Sequence, residues 1–226
     1  MSLKILLITS TDREADALRK TKGIIMQNDK YHFGSLDIEL LIGGIGIIAT
    51  TWTLSKWISE NKKPDLAMNV GIAGSYLEQF PVGSVVMPVS ECFADAGIED
   101  DDGLLTLFEA GLSKRDEFPF TDGVIRSVNK YCEKLKDLLN PVNAITVNTS
   151  TGSERTKQRL SGKFNPAIET MEGAAFFYVC AKDNIPFVAL RSVSNMVERR
   201  ARDKWNIPLA IDNMAVALEA VFKKLN

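Results

Sequence analysis

Polar and glycine residues follow the ends of five apolar segments of this chain. They occupy residues 9–14, 43–46, 69–75, 169–173 and 191–195. Ligands of open α/β sheets bind beyond the carboxyl ends of the strands, so these five segments are candidates for one shared site. Each segment alone is a weak indication, because glycines after a strand are often only tight turns.

Two carboxylates stand out among these residues. Glu14 falls in the first turn of a predicted helix, where an acidic side chain can also serve only to complement the helix dipole. Glu172 lies where an apolar strand becomes an apolar helix, and a glutamate there costs desolvation unless it binds something. The alternative for Glu172 is again a charge at a helix N-terminus. Arg191 and Asn195 appear together at the end of another apolar strand.

The composition excludes several kinds of chemistry. The chain has 226 residues, and its 27 basic and 29 acidic side chains give a net charge of −2, which argues against nucleic-acid or membrane-surface binding. His32 is the only histidine, so His-rich metal sites, HExxH zinc motifs and C2H2 fingers are excluded by count. A Ser-His-Asp triad would have to use His32, which we expect instead to be a partly exposed strand residue. Acid–base chemistry should therefore rest on carboxylates or amides.

The cysteines and the hydropathy pattern are typical of a protein from a reducing compartment. Cys92, Cys132 and Cys180 are odd in number and far apart, so we expect three core thiols rather than a disulfide framework. The sequence shows no basic-then-apolar leader and no apolar run of about 18 residues. We therefore expect a cytoplasmic protein without a membrane segment.

Apolar patterning alternates between strands and helices along the chain. Strands are predicted at 4–9, 66–70, 82–89, 142–149, 167–170 and 187–193, and helices after Thr11 and at 46–60, 122–139, 150–162, 171–182 and 207–225. Residues 23–42 are predicted to form two or three extended segments, and residues 94–121 to be rich in loops. This alternation favours an α/β fold in which a mostly parallel sheet is covered by helices on both faces.

Three blocks of sequence resemble the purine nucleoside phosphorylase/nucleosidase superfamily. Residues 63–65 (KPD) and 69–74 (NVGIAG) resemble its KPD…N-x-G-x-A-G block, and residues 169–175 (ETMEGAA) resemble its E-x-M-E-x-x-A block. Residues 185–187 (IPF) with 191–195 (RSVSN) resemble its VPF…R-x-x-S-[DN] block. The resemblance covers nearly the whole chain, which looks most like the methylthioadenosine/S-adenosylhomocysteine nucleosidase and futalosine hydrolase branches.

The resemblance implies a single three-layer αβα domain over residues 1–226, with a mixed, mostly parallel central sheet, and it also implies roles for residues. Glu14 would activate water, Glu172 would accept hydrogen bonds from the sugar hydroxyls, and Asn195 would meet the purine N7. The other candidate substrate-binding residues are Met171, Arg191, Ser194, Gly71, Ile72, Gly74, Thr151, Phe93, Arg199 and Trp205. No cofactor and no metal is implied.

Cleavage of a purine N-glycosidic bond would explain these residue types. The reaction builds positive charge on the sugar and negative charge on the departing base. A carboxylate near the sugar stabilises the first charge, and a polar group near N7 stabilises the second. A second carboxylate takes the proton from water, for which histidine is unnecessary.

Asn195 bears on the identity of the base. Adenine-cleaving nucleosidases carry an aspartate at this position of the motif, which can give its proton to N7. An asparagine cannot, but its amide can donate to O6 of a 6-oxopurine while its carbonyl accepts from a protonated N7. With adenine, the N–H donor of the amide would face the N–H donor of the 6-amino group, which typically costs about 1–3 kcal/mol. Hypoxanthine or guanine is therefore the expected leaving base, unless Asn195 is merely a turn residue.

Residues 194–205 resemble the segment S-N-x-V-x-x-R-(x)n-W that marks futalosine hydrolases. That enzyme releases hypoxanthine from futalosine in the menaquinone pathway, and the 5′ side of futalosine carries a carboxylated aromatic group. The basic residues of 199–204 and Trp205 are suited to neutralise the carboxylate and stack on the ring, and a solvated basic loop is the alternative. Residues 93–100 are a second candidate for a substrate loop.

A hydrolase is expected rather than a phosphorylase. The phosphorylases of the family place G-D-P-x-R after the first strand, whereas this chain has STDRE at 10–14, and Val70 stands where they carry a second arginine. Ile72 departs from the small polar residue common in adenine nucleosidases. A phosphate-dependent phosphorylase, a methylthioadenosine/S-adenosylhomocysteine nucleosidase and a non-catalytic nucleoside-binding protein stay open as alternatives. The expected partners are a small nucleoside, water and further copies of the chain in a homodimer or higher homo-oligomer, with no nucleic acid or membrane.

Overall fold

The structure is a computed structural model that describes residues 2–100, 103–199 and 205–226. Its strands are β1 (Leu3–Thr9), β2 (Ile25–Gln27), β3 (Lys30–Phe33), β4 (Leu36–Ile42), β5 (Leu66–Ser75), β6 (Val85–Glu91), β7 (Gly97–Asp100), β8 (Gly103–Thr106), β9 (Ile125–Arg126), β10 (Asn140–Thr146), β11 (Ile168–Thr170) and β12 (Phe187–Met196). Its helices are α1 (Asp12–Arg19), α2 (Gly46–Glu60), α3 (Lys130–Leu135), α4 (Glu154–Phe164), α5 (Gly173–Lys182) and α6 (Ile207–Leu225).

The side chains of β1 explain why the sheet forms the middle layer. Ile5 and Leu7 join the apolar cluster that contains residues of α1, α3 and α6, whereas Leu6 and Ile8 join the cluster that contains residues of α2 and α5. Successive side chains of a strand point to opposite faces of the sheet. An unbroken apolar run is therefore buried on both faces, and the domain has three layers, as predicted.

The central sheet is mixed. Its strand order is β11-β10-β6-β12-β5-β1-β4-β3-β2, with β9 paired to β6. Strands β4, β1, β5 and β12 run parallel to one another, whereas β12 and β6 are antiparallel. Strand β11 pairs in parallel with β10 and in antiparallel fashion with the end of β5. This second pairing closes β5, β12, β6, β10 and β11 into a ring.

Strands β5 and β12 are longer than their apolar patterns predict. The predicted strands end at Val70 and Val193, but β5 continues through its glycines and β12 continues to Met196. The two extensions pair with each other, so that Asn195 lies opposite Gly74. The polar residues of these two segments therefore lie on strands rather than in turns.

The predicted helix over residues 122–139 is wrong for most of its length. Asp122 and Gly123 have positive φ angles of 52° and 75°, which are incompatible with a right-handed helix, and β9 follows them and pairs with β6. Helix α3 begins only after Asn129, whose side chain accepts hydrogen bonds from two backbone N–H groups of the first turn. The predicted loop region over 94–121 contains the hairpin of β7 and β8.

The cysteines and the histidine lie where the sequence predicts. Cys92, Cys132 and Cys180 are buried and form no disulfide. His32 lies on strand β3 with 32% of its side chain exposed, and its Nδ1 is 3.0 Å from Oδ1 of Asp37. Across the described ranges, no helix is long and apolar enough to span a membrane.

Gly173, at the start of α5, has no room for a side chain. A Cβ there would lie 1.8 Å from Oε1 of the buried Glu91. Gly173→Ala should therefore lower the free energy of unfolding by at least about 1–3 kcal/mol, the usual cost of overpacking a core.

Gly162 in α4 provides the matched control, because a Cβ there would meet nothing within 4 Å. Gly162→Ala should raise the free energy of unfolding by about 0.5–1 kcal/mol through helix propensity. Urea denaturation measures both changes, and equal stabilities of the two variants would contradict the tight contact at Gly173.

Candidate active site

A cavity of about 350 Å³ opens at the carboxyl ends of β1, β5, β11 and β12. All five polar segments singled out in the sequence reach it. Its wall is formed by Ser10, Thr11, Arg13, Glu14, Ile45, Ile72, Ala73, Gly74, Ser150, Glu169, Thr170, Met171, Glu172, Ser194, Asn195, Trp205 and Ile207. The strand ends therefore converge on one site, as expected for an open α/β sheet.

Glu14 is held on the cavity wall by three hydrogen bonds. Its Oε2 accepts from the backbone N–H and the hydroxyl of Thr11 at 3.0 and 2.9 Å, and the Thr11 hydroxyl in turn accepts from the N–H of Glu14, which makes a capping box at α1. Its Oε1 accepts from the N–H of Ile72 at 3.0 Å. A carboxylate offers about four acceptor positions, so one position on Oε1 stays open to the cavity.

Glu172 reaches across the cavity to the start of α2. Ile45 precedes that helix and has no polar side chain with which to cap it, and Oε1 of Glu172 accepts the N–H of Gly46 at 2.8 Å instead. Burial raises the pKa of Glu172 above its usual value, while the hydrogen bond from Gly46 and the charge of Arg191 act in the opposite direction. The carboxyl group is thus held at a helix N-terminus, where negative charge is favoured.

Arg191 lies behind the wall and is fully buried. Its guanidinium donates from Nη1 to the backbone oxygen of Asn69 at 2.9 Å, and from Nη2 to Oδ1 of the same residue. Its positive charge lowers the pKa values of Glu91 and Glu172, against the effect of burial. Arg191 therefore supports the site from within the core and does not form part of the cavity surface.

Asn195 presents its amide to the cavity in a fixed orientation. Its Oδ1 accepts from the hydroxyl of Ser194 at 2.8 Å, and its Nδ2 donates to the backbone oxygen of Met196 at 3.1 Å. Since an amide offers two N–H donors and two acceptor lone pairs, one donor and one acceptor position stay open. Ser194 thus fixes which end of the amide accepts and which end donates.

Glu169 is a cavity residue to which the sequence assigned no role. Its Oε1 accepts from the N–H of Thr151 at 2.8 Å, and its Oε2 accepts from the hydroxyls of Thr151 and Tyr76 at 2.5 and 3.0 Å. Burial and the negative charge of Glu169 raise the pKa of Tyr76, so its phenol stays protonated and remains a donor.

Glu91 is a second carboxylate that the sequence did not single out, and it is fully buried. Its two oxygens accept from the hydroxyls of Thr146 and Thr170 at 2.9 and 3.3 Å. The same hydroxyls accept from the N–H groups of Ala174 and Gly173 at 2.8 and 3.1 Å. Glu91 therefore anchors the first turn of α5, which begins directly after Glu172.

The sequence candidates divide into residues on the wall and residues behind it. Those on the wall are Glu14, Ile72, Gly74, Met171, Glu172, Ser194, Asn195 and Trp205. Gly71, Thr151 and Arg191 lie behind it, Gly71 against Glu14 and Thr151 against Glu169. These three residues position other groups rather than face the cavity.

Phe93 and Arg199 lie away from the cavity wall. The ring of Phe93 packs 6.5 Å from that of Tyr178, in the apolar cluster that contains residues of α5, because burial there removes it from water. Arg199 is exposed. The remaining basic candidates fall within residues 200–204, which lie outside the described residues. The predicted substrate loop over 93–100 contributes none of the wall residues.

Nine wall residues had not been proposed as substrate contacts: Ser10, Thr11, Arg13, Ile45, Ala73, Ser150, Glu169, Thr170 and Ile207. All of them except Ser150 and Ile207 belong to strand-end segments that the sequence had indicated, so their position in the chain could have identified them. Ser150 neighbours the candidate Thr151, and Ile207 carried no signal. Within the described residues, no group of three histidine, cysteine, aspartate or glutamate side chains is arranged to hold a metal ion.

The fold is α/β, and its cavity lies at the carboxyl ends of the strands, where sheets of this class bind their ligands. Comparison with known families identifies it further: residues 4–225 match the phosphorylase superfamily, and the chain belongs to that family.

Curated relatives of two kinds are similar to this chain. It is 28% identical over 178 residues to the futalosine hydrolase of Streptomyces coelicolor, covering 76% of this chain and 73% of that protein. It is 25% identical over 244 residues to the 5'-methylthioadenosine/S-adenosylhomocysteine nucleosidase of Buchnera aphidicola, covering 99% and 98%. A solved nucleosidase of that second kind from S. pneumoniae shares the fold, with a TM-score of 0.80 at 18% identity over 99% of this chain and 100% of that chain.

The network around Glu91 leads to a prediction on the pH dependence of stability. Burial raises the pKa of Glu91 to about 7 in the folded protein, against about 4.5 for an unperturbed glutamate. As the pH falls, the Glu91 carboxylate therefore binds its proton in the folded state at a higher pH than in the unfolded state. The resulting contribution to stability is fully present below about pH 4.5 and is lost as the pH rises towards 7.

Glu91→Gln removes this titration while keeping the size of the side chain. We expect the decline in the free energy of unfolding between pH 5 and pH 8 to be shallower for the variant than for the wild type. Urea denaturation at intervals of half a pH unit measures the two slopes, and parallel curves would show that Glu91 does not titrate in this window.

Proposed function

We propose that this protein is a nucleosidase that hydrolyses the N-glycosidic bond of a 6-oxopurine nucleoside, with futalosine as its substrate and hypoxanthine as the base released. The observation that carries the proposal is the convergence of the carboxylates of Glu14 and Glu172 and the amide of Asn195 on one cavity. Bond cleavage needs groups that stabilise charge of opposite sign on sugar and base, together with a base for water.

In the proposed mechanism, the open acceptor position on Glu14 binds the attacking water and takes its proton. Glu172 accepts hydrogen bonds from the sugar hydroxyls, and its negative charge stabilises the positive charge that develops on the sugar. Asn195 donates to O6 of the base through Nδ2 and accepts from the protonated N7 through Oδ1. The proton on N7 comes from solvent, since an amide has none to transfer.

The charges of the cavity favour hydrolysis over phosphorolysis. Among the described residues, the wall carries the carboxylates of Glu14, Glu169 and Glu172 and the guanidinium of Arg13. A phosphorylase binds a dianion and normally surrounds it with arginines and backbone N–H groups. A wall with more negative than positive side chains repels phosphate and tolerates water.

A carboxylated aromatic substituent fits the remaining wall residues. Arg13 is exposed and has no acidic partner among the described residues. Trp205 and the apolar Ile45 and Ile207 share the cavity with it. A guanidinium binds a carboxylate through paired hydrogen bonds, and indole stacks on a second ring. The similarity to a futalosine hydrolase supports this assignment.

A methylthioadenosine/S-adenosylhomocysteine nucleosidase is the second candidate, favoured by the full-length similarity to the Buchnera aphidicola protein. Asn195 is the residue that weighs against it. The 6-amino group of adenine would face the open N–H of the Asn195 amide, and two donors in contact cost about 1–3 kcal/mol.

Assays without phosphate test the proposal. We expect purified protein to release hypoxanthine from futalosine, faster than it releases base from inosine or methylthioadenosine, as measured by chromatography of the free bases. A sugar 1-phosphate formed only with phosphate present would identify a phosphorylase. Faster release of adenine from methylthioadenosine would identify the second candidate, a methylthioadenosine/S-adenosylhomocysteine nucleosidase. If no base is released from any of these substrates, the alternative of a non-catalytic nucleoside-binding protein is favoured.

Variants of the wall residues separate their roles in the same assay. Glu14→Gln and Glu172→Gln should each lower kcat at least about 100-fold, because general acid–base and charge-stabilising groups are removed. Arg13→Gln should raise KM for futalosine about tenfold, the effect of one lost charge-assisted hydrogen bond, and change KM for inosine less than about twofold. An equal effect on KM for both substrates would show that Arg13 does not bind the 5′ substituent of futalosine.

We also propose that the protein is a homodimer that buries the exposed apolar face of α2. Ile45, Ile48 and Trp52 are 62%, 83% and 70% exposed and lie at spacings that bring them to one side of the helix. Light scattering should show a dimer for the wild type and a monomer for Trp52→Glu. Val128→Glu, at an isolated exposed position, should leave the dimer intact, and a monomeric wild type would contradict the proposal.

A further inference from the structure

Glu91 is a buried titratable residue that the proposed mechanism leaves without a task. It lies at the end of β6 and has no exposed surface. Its carboxyl group lies directly beneath the first turn of α5, because a Cβ on Gly173 would come within 1.8 Å of Oε1. Glu172, to which the proposed mechanism assigns the sugar hydroxyls, immediately precedes that turn. The state of Glu91 therefore bears on the position of Glu172.

Two threonine hydroxyls cap the start of α5 in place of its own N-cap residue. Glu172 is that N-cap residue, but within the described structure its side chain accepts the N–H of Gly46 at the start of α2 instead of capping α5. The first two N–H groups of α5 donate to the hydroxyls of Thr170 and Thr146 at 3.1 and 2.8 Å. These hydroxyls thereby leave the side chain of Glu172 free to reach across the cavity.

Glu91, Thr146 and Thr170 form a closed triangle of oxygen contacts. Oε2 of Glu91 lies 2.9 Å from the Thr146 hydroxyl, Oε1 lies 3.3 Å from the Thr170 hydroxyl, and the two hydroxyls are 3.0 Å apart. Three such contacts need three hydrogens, and two hydroxyls supply only two. When Glu91 is ionised, one of the three contacts therefore sets oxygen lone pairs against each other.

A proton on Glu91 supplies the missing hydrogen. The carboxyl O–H donates to one threonine, that threonine donates to the other, and the second threonine donates to the remaining carboxyl oxygen, in either sense around the triangle. Each hydroxyl then donates once and accepts twice, which is its full capacity. The distances agree with this form, because a hydroxyl that donates to an ionised carboxylate normally lies at about 2.5–2.7 Å from it.

The groups around Glu91 favour the same form. Among the described residues, the charged or titratable groups that face it are Arg191 of β12, Glu172 before α5 and the thiol of Cys92, whereas Arg126 of β9 is exposed. Burial raises the pKa of Cys92 to about 12, so the thiol stays neutral. Burial and the charge of Glu172 raise the pKa of Glu91 to about 7, against the effect of Arg191. A neutral Glu91 leaves the positive charge of Arg191 to stabilise the carboxylate of Glu172.

We propose that Glu91 is a positioning residue that carries a proton and closes a triangle of three hydrogen bonds with Thr146 and Thr170. The triangle holds the first turn of α5 and so keeps Glu172 in place for the sugar hydroxyls. Ionisation of Glu91 opens the triangle and puts a second negative charge close to Glu172, so activity falls as Glu91 loses its proton. The inference rests on the proposed function, since it concerns the carboxylate assigned to the sugar.

Infrared spectroscopy detects the proton without any substrate. The difference spectrum between the wild type and Glu91→Gln at pH 6 should contain the C=O band of a protonated carboxylic acid. The band should weaken several-fold by pH 8, because the pKa of Glu91 is about 7. Absence of this band at pH 6 would overturn the proposal.

Variants of Glu91 and Thr146 test the triangle in the nucleosidase assay. The amide of Glu91→Gln donates to one threonine and accepts from the other, so kcat/KM for futalosine at pH 6 should stay within about threefold of the wild type. Glu91→Met has a similar length but leaves both hydroxyls without this partner, and should lower kcat/KM at least about tenfold. Equal activities of the two variants would overturn the proposal.

Thr146→Val and Thr146→Ser give the same comparison from the other side of the triangle. Valine has the shape of threonine without the hydroxyl and should lower kcat/KM at least about tenfold, whereas serine keeps the hydroxyl and should restore most of the activity. Circular dichroism checks that each variant is folded, and this pair decides the question if Glu91→Met does not fold. Equal activities of the valine and serine variants would count against the triangle.

The pH profile separates the proton from a purely structural role. For the wild type, kcat/KM should fall as the pH rises through about 7, in addition to any fall from the uptake of a solvent proton at N7, which all variants share. Glu91→Gln cannot ionise, so the ratio of its kcat/KM to that of the wild type should rise at least about threefold between pH 6 and pH 8. Glu133→Gln, an exposed change on α3, should follow the wild type at both pH values. A constant ratio for Glu91→Gln would overturn the proposal.

Failure of the proposed function and failure of this inference give different results. If the protein cleaves methylthioadenosine rather than futalosine, the proposed substrate fails, and the Glu91 variants should show the same ratios on methylthioadenosine. If it cleaves futalosine equally well in the wild type, Glu91→Gln and Glu91→Met at every pH, the proposed function stands and this inference fails. A protein that cleaves no nucleoside would overturn both.

Discussion

The site depends on keeping several carboxylates in the interior close to a single buried guanidinium. Glu14, Glu91, Glu169 and Glu172 are all buried, and Arg191 is the cation that the described core contains beside them. Removing one partner of a buried charge pair typically costs about 3–5 kcal/mol. Backbone N–H groups and hydroxyls stabilise the remaining negative charge, and Glu14, Glu91 and Glu169 each accept two or three such hydrogen bonds. The strand ends and helix starts that provide those donors must therefore keep their places.

Glycine residues, which have no Cβ atom, make room for these polar groups. A Cβ on Gly71 would lie 2.7 Å from Oε1 of Glu14, and one on Gly173 would lie 1.8 Å from Oε1 of Glu91. A Cβ on Gly74 would crowd Asn195. None of these three glycines has a positive φ, so a turn does not require them. Space for a neighbouring side chain is what requires glycine at these positions.

The sequence was sufficient for the class of fold and for most of the cavity wall. Apolar runs identified the buried strands, and polar residues at their ends identified where Glu14, Glu172 and Asn195 would meet. It was not sufficient for the closure of β11 onto β5, because pairing between strands about 90 residues apart leaves no local pattern. The position of Glu169 opposite Gly74 depends on that closure, so the sequence did not indicate it. Phe93 was proposed from its position in the chain, but the burial of its ring depends on Tyr178, which only the tertiary structure brings to it.

Closure of the ring also brings separate strand ends to one cavity. An open sheet would place Asn195 on β12 beside β5 and leave β11 unconnected to either. The pairing of Glu169 with Gly74 places Glu169 on the opposite side of β5 from Asn195, and both residues reach the cavity wall. Backbone hydrogen bonds of the sheet hold both residues in place more rigidly than a loop would. Asn195, at the β12 end of this row of paired residues, is accordingly the residue on which the proposed preference for a 6-oxopurine rests.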